Sequence, residues 1–178
     1  MYRLSIPVMN NNFDPEACIP ELKRANANRV FLAINRSAVF NQEIRERELQ
    51  ILRNNLKILA ENGFEAGAWF QAFGFGNKLS AKDMKAAEGL TKIKDIRGEE
   101  AGDAFCPTDE KFTKLLGGLL KDIAQTGAKM IMLDDDLCLS VRPGLGCACD
   151  THMGKYKSRI GEDIKREELA QKLFCGAP

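Results

Sequence analysis

The chain has no apolar run near the ~20 residues that a membrane-spanning helix needs, so no such span is expected. Met1 to Asn10 holds one arginine, a short apolar stretch and no small-residue cleavage site, and does not read as a secretory leader. Charge of one sign is also missing. Lys and Arg number 26 against 25 Asp and Glu, a net charge of +1, so no basic excess is left to meet phosphate. That argues against nucleic acid or an anionic membrane as partner. No G-x-G-x-x-G follows the first apolar run, so a dinucleotide fold lacks support. There is no tandem repeat and no low-complexity tract. The 6 cysteines in 178 residues fall short of a disulfide scaffold. With no export signal, a reducing cytoplasm is the expected location, and there cysteines serve as buried thiols or metal ligands.

What is present is ordinary globular composition, 44% hydrophobic and 29% charged, in slightly more than one typical domain length. Strand and helix patterns alternate. Residues 2–9 suit a first buried strand, with Pro7 suggesting an early end. Asp14-Pro15-Glu16 reads as an N-cap and first helical turn, for a helix to about Ala27. Val30 to Ile34 is a continuous apolar run of the kind found in covered parallel sheets. Leu49, Leu52, Leu56 and Leu59 form one face of a long helix that Asn62-Gly63 ends. Phe64 to Phe70 is the third strand.

An insert over 71–105 follows, long enough to be functional or to hold a hairpin from Leu90–Ile96 and Glu99–Phe105. A third helix starts near Thr108, with Phe112, Leu115, Leu116, Leu119 and Ile123 as its apolar stripe and Gly127 at its end. Met130 to Leu133 is the fourth strand, and short helices are expected near Thr151–Ile160 and from Lys165.

This is α/β alternation with a parallel sheet and right-handed crossovers. The long inserts follow strands three and four at their carboxyl ends, where barrel enzymes build their sites. A complete barrel needs roughly 250 residues. The expected fold is therefore part of a (β/α)8 TIM barrel: about four βα units in one domain over 1–178, truncated relative to the whole.

Four constellations carry chemistry. Asp134-Asp135-Asp136 closes the fourth strand. Carboxylates there act as general acid, sugar hydroxyl acceptor or hard-metal ligand; the plain alternative is a solvated turn. Cys147-Ala148-Cys149-Asp150-Thr151-His152 is a C-x-C-x-x-H containing the chain's only histidine. Two thiolates and an imidazole suit zinc, with Cys106 as the fourth ligand and Cys138 in reserve. A closed Cys3His set is structural, since no position stays open to water; the alternative is unrelated buried thiols. Trp69, Phe70, Phe73 and Phe75 surround the third strand; Trp69, the only tryptophan, is a candidate to stack on a sugar ring at a barrel mouth, and core or hairpin packing is the alternative for the phenylalanines. Arg142, and Arg36 after strand two, are candidate substrate contacts.

Together, Cys106 to Gly161 resembles the clan A glycoside hydrolases, nearest to the family 42 β-galactosidases. Phe105-Cys106-Pro107-Thr108 matches a C-P pair opening a helix. Met130 to Asp136 stands where the family has a strand ending in D-N-E. Cys147, Cys149 and His152 stand where it has C-x-C-x-x-C, and Met153 to Gly161 looks like the helix closing its zinc loop.

The resemblance implies Cys106, Cys147, Cys149 and His152 as ligands of a structural zinc, Asp136 as acid/base and Asp135 as a sugar contact. Asp136 replaces a glutamate, which withdraws the carboxyl by about 1.5 Å. Retaining glycosidases need a second carboxylate about 5–5.5 Å away, which the family places after strand seven. The implied function is thus a fragment of a carbohydrate-active hydrolase, inactive alone. Its partners would be a carbohydrate and either a second copy or the missing barrel half. Two alternatives stand beside it: a non-catalytic carbohydrate-binding or assembly module, and a magnesium- or manganese-dependent enzyme using Asp134 and Asp136.

Overall fold

The computed structural model describes residues 4–73, 79–134 and 146–174. The chain divides into two compact units, Met1–Ala72 with Leu115–Asp134, and Phe73–Lys114 with Asp135–Pro178.

The first unit is built on a four-stranded parallel sheet. Its strands are β1 (Ser5–Met9), β2 (Arg29–Ala33), β3 (Glu65–Phe70) and, much later in the chain, β6 (Ile131–Leu133), in spatial order β1-β2-β3-β6. Parallel neighbours need crossovers, and two helices supply them here: α1 (Pro15–Arg24) and α2 (Gln42–Glu61). The Asp14 side chain accepts from the Glu16 N–H and caps α1, and Asn41 caps α2 by accepting from Ile44 N–H. The predicted leucine face of α2 is buried throughout, from Leu49 to Leu59, and α2 packs on β3. In register, Val30 and Leu32 of β2 share a face with Ala66, Ala68 and Phe70 of β3, and all five are buried. The architecture is therefore mixed α/β with a parallel sheet.

Three local expectations change. Pro7 does not stop β1, which runs on to Met9. As an edge strand, β1 tolerates a residue with no N–H to donate. Helix α1 ends at Arg24, short of Ala27, because Asn26 turns into the left-handed region at φ 51°. Leu115, expected in a buried stripe, is 38% exposed, while Phe112, Leu116, Leu119 and Ile123 of the same helix are buried.

The second unit contains the hairpin expected from the insert. β4 (Lys92–Lys94) and β5 (Glu100–Phe105) pair antiparallel. Asp95 makes the turn: its carboxylate accepts from the N–H groups of Arg97 and Glu99, and Gly98 takes φ 91°. A short helix before the hairpin, α3 (Ala81–Ala86), was not anticipated; Ser80 caps it by accepting from the Asp83 N–H. Helix α4 (Glu110–Ala124) begins in this unit and continues into the first. Helices α5 (Asp150–Ile160) and α6 (Arg166–Phe174) complete the second.

Backbone closeness in the first unit sets one tight constraint. A Cβ added at Gly67 in β3 would stand 2.5 Å from the Met130 carbonyl oxygen, which already accepts from Ala68 N–H at 2.9 Å. Only a glycine lets β3 meet the chain entering β6. Gly67→Ala is expected to lower the unfolding free energy by about 1–3 kcal/mol, measured by urea denaturation. An unchanged midpoint would mean that β6 moves away without cost.

Candidate metal centre

Four side chains from two pieces of chain meet in the second unit. Cys106 directly follows β5, and its backbone N–H donates to Thr91 C=O before β4 at 2.8 Å. Cys147 precedes α5, held to the hairpin by the Ala148 N–H donating to Lys94 C=O at 2.6 Å. Cys149 is the N-cap residue of α5. His152 lies three positions on, in the first turn. Side chains at the N-cap and three residues later face one another. Here that pair is a thiol and an imidazole, with no capping hydrogen bond from Cys149.

Cys106 Sγ lies 3.6 Å from Cys149 Sγ and 3.5 Å from His152 Nδ1, and Cys149 Sγ lies 3.3 Å from the same nitrogen. With Cys147 included, the four donor atoms lie within 4.8 Å of one another. A tetrahedral zinc at ordinary bond lengths would set sulfur–sulfur edges of about 3.8 Å and sulfur–nitrogen edges of about 3.5 Å. Cys106, Cys149 and His152 fit one face of that tetrahedron. The donor set suits a thiophilic ion, and Cys106 and Cys149 are fully buried.

Neighbouring groups keep the donors in place. Thr108 Oγ1 is 3.1 Å from Cys106 Sγ. Asp109 accepts from Phe112 N–H at 2.8 Å and from Thr91 N–H at 2.7 Å, so one carboxylate fixes both the start of α4 and the lead into β4. Burial opposes its ionisation, but these donated hydrogen bonds prevail and hold its carboxyl below the usual carboxylate range. Arg166 of α6 donates to Ala148 C=O and pairs with Asp150, bracing the entry to α5. Burial lowers the His152 pKa and the Lys155 charge lowers it further, favouring the neutral imidazole that binds metal.

The second candidate site lies at the carboxyl end of the sheet in the first unit. Met9, Ala33, Trp69 and Met132 are register partners in one row across all four strands. Beside this row is a cavity of about 300 Å³ lined by Met9, Ala33, Ile34, Asn35, Arg36, Trp69 and Gln71. Two predicted contacts, Trp69 and Arg36, thus reach the same cavity. Gln71 donates to Asp134 at 3.3 Å, bringing the first aspartate of the triplet beside one lining residue. The Trp69 Nε1–H is buried without a partner among the described residues. Sequence reasoning missed Asn35 and Gln71, since a single polar residue after a strand gives no signal. Asp135, Asp136, Cys138, Arg142 and Phe75 lie outside the described residues.

Searches against protein-family models and against curated proteins found no match for this chain.

In the metal-free centre, burial pushes the Cys147 thiol up to about 12, and the adjacent Cys106 and Cys149 push in the same direction. A raised thiol pKa supports the fold while the unfolded chain also keeps its proton. That contribution fades as pH climbs from about 9 towards about 12. Chelator-treated protein is therefore expected to lose thermal stability from about pH 8 to about pH 10 more steeply than metal-loaded protein. Melting curves at both pH values, with and without metal, check this. Parallel pH dependence in the two forms would show that the thiols do not bind metal.

Proposed function

We propose that this chain forms four βα units of a glycosidase-like (β/α)8 barrel, with a structural zinc in its Cys3His centre and a sugar site at the carboxyl end of the sheet. The observation that carries the reading is the convergence of Trp69, Arg36, Asn35 and Gln71 on one cavity at the strand ends. An indole ring beside amide and guanidinium donors offers what a pyranose needs: an apolar face and hydrogen-bond partners for its hydroxyls.

Zinc, when bound, supplies no chemistry to the sugar in this reading. Cys106, Cys147, Cys149 and His152 use it to fix the segment entering α5 against the hairpin. Asp136 is the proposed acid/base and Asp135 the sugar contact, with Arg142 as a further substrate ligand. The second carboxylate would come from a partner half, either a second copy or the remaining units of a barrel. Met9 on β1, Leu4 just before it, and Met132 and Leu133 on β6 are exposed at the two edges where such a half would pair.

A second reading, carbohydrate binding without turnover, is favoured by aspartate at 136. The shorter side chain withdraws the carboxyl by about 1.5 Å, and misplacement on that scale costs about a hundredfold in rate.

Elemental analysis is expected to find one zinc per chain, lost in a Cys106→Ser/Cys149→Ser variant; no zinc in protein purified without chelator ends the zinc assignment. Calorimetry with galactosides is expected to detect binding that Trp69→Ala weakens at least about tenfold. In a protein carrying a completed barrel, Asp136→Asn is expected to reduce turnover of a β-galactoside at least about a hundredfold. Binding with no turnover in that protein would select the second reading.

A further inference from the structure

The four donors of the Cys3His centre are not equivalent. Cys106, Cys149 and His152 Nδ1 lie 3.3–3.6 Å apart, close to the edges of a tetrahedral face. Cys147 Sγ completes the set within 4.8 Å, shares none of these three close contacts and is only partly buried.

The space on this side is open. A cavity of about 340 Å³ is lined by Cys147 and His152, by apolar residues including Ile96 and Leu173, and by Lys155 and Arg159. Lys155 and Arg159 are one helical turn apart on α5, and neither forms an ion pair among the described residues. Among the described residues no carboxylate lines the cavity.

We propose that Cys147 is the exchangeable ligand of this centre: Cys106, Cys149 and His152 hold the metal, and small anionic thiols entering this cavity take the fourth position. This rests on the reading that the cluster binds zinc. In the exchange no electron moves. The incoming thiol gives its proton to the Cys147 sulfur and takes its place as thiolate. A carboxylate on that thiol would meet Lys155 and Arg159.

Three arms test this on the 178-residue chain. Zinc affinity, by competition with a chromophoric chelator, is expected to fall less than about a hundredfold in Cys147→Ala and more than about a thousandfold in Cys149→Ala. Limiting iodoacetamide on zinc-loaded wild type, followed by peptide mapping, is expected to modify Cys147 before Cys106 or Cys149 with zinc retained. This arm needs no variant to fold. Mercaptoacetate added to cobalt-loaded Cys147→Ala is expected to restore the sulfur-to-metal absorption of the wild type. Equal zinc loss in both variants, or zinc release on the first alkylation, overturns the proposal while leaving the zinc reading intact. No absorption change with mercaptoacetate overturns thiol entry. A wild type that binds no zinc overturns the underlying reading instead.

Discussion

The convergence of three thiols and one imidazole is the constraint on which the second unit depends. Two of its hydrophobic groups are small: one consists of Ile96, Met153, Ile164 and Leu169, another of Ile93, Ala101 and Ala104 with Cys147 packed against it; Phe105 and Phe112 are buried against each other near the start of α4. Small cores of this kind gain most of their stability from staples. The cysteines come from the end of β5 and from the entry to α5, so a metal there closes a long loop between them. Cys147 belongs both to the cluster and to the edge of the second apolar group. The cluster and the local core therefore share a residue.

The first unit follows a different logic. Its two central strands, β2 and β3, are largely buried, with α2 packed on β3, and its polar interior is organised at the carboxyl end. Asn10, directly after β1, donates through Nδ2 to the backbone and carboxylate oxygens of Glu48, both at 3.0 Å. Asn55 donates to the Asn10 backbone carbonyl at 2.9 Å and to its side-chain oxygen at 3.1 Å. All three residues are buried. A buried amide that is fully engaged fixes position more strictly than apolar contact does, because a shift leaves polar groups unpaired. This network pins the end of β1 to α2. Met9 immediately precedes it and lines the cavity that also holds Trp69. The cavity thus has one wall held by directional hydrogen bonds and another set by the register of β2 and β3.

The elements legible in the sequence are those whose signals are local and repeated. The leucine spacing of α2, the Asp14-Pro15 start of α1 and the Asn62-Gly63 stop each act within a few residues. The hairpin in the insert was legible for the same reason. The C-x-C-x-x-H motif pointed to a metal cluster, and Cys106, the donor distant in sequence, joins it. The Asn10–Glu48–Asn55 network gave no signal, since its members are 38 and 45 residues apart and each is an ordinary polar residue alone. The exposure of Leu115 was equally hidden: periodicity shows which residues share a face, not how far a neighbour covers it. Pro7 misled because the rule against proline in strands applies to interior strands, and edge position is a property of the assembled sheet.

The inequality among the four donors follows from the motif itself. Cys149 and His152 are separated by three positions across a helix start, so both side chains lie over the same turn and meet at 3.3 Å. Cys147 and Cys149 are separated by two positions in chain that is not yet helical. The extended Cys149 backbone, at φ −62° and ψ 165°, must turn into α5 immediately afterwards. One cysteine of the pair can share the turn geometry with His152, and the other must reach inward from the chain before it. The hairpin holds the chain beside that residue, because Ala148 N–H donates to Lys94 C=O. Two short-range demands pull on neighbouring residues: the helix start draws Cys149 to the centre, and the strand edge draws Cys147 to the wall. A C-x-C-x-x-H sequence entering a helix beside a strand edge therefore builds three close donors and one outlying donor.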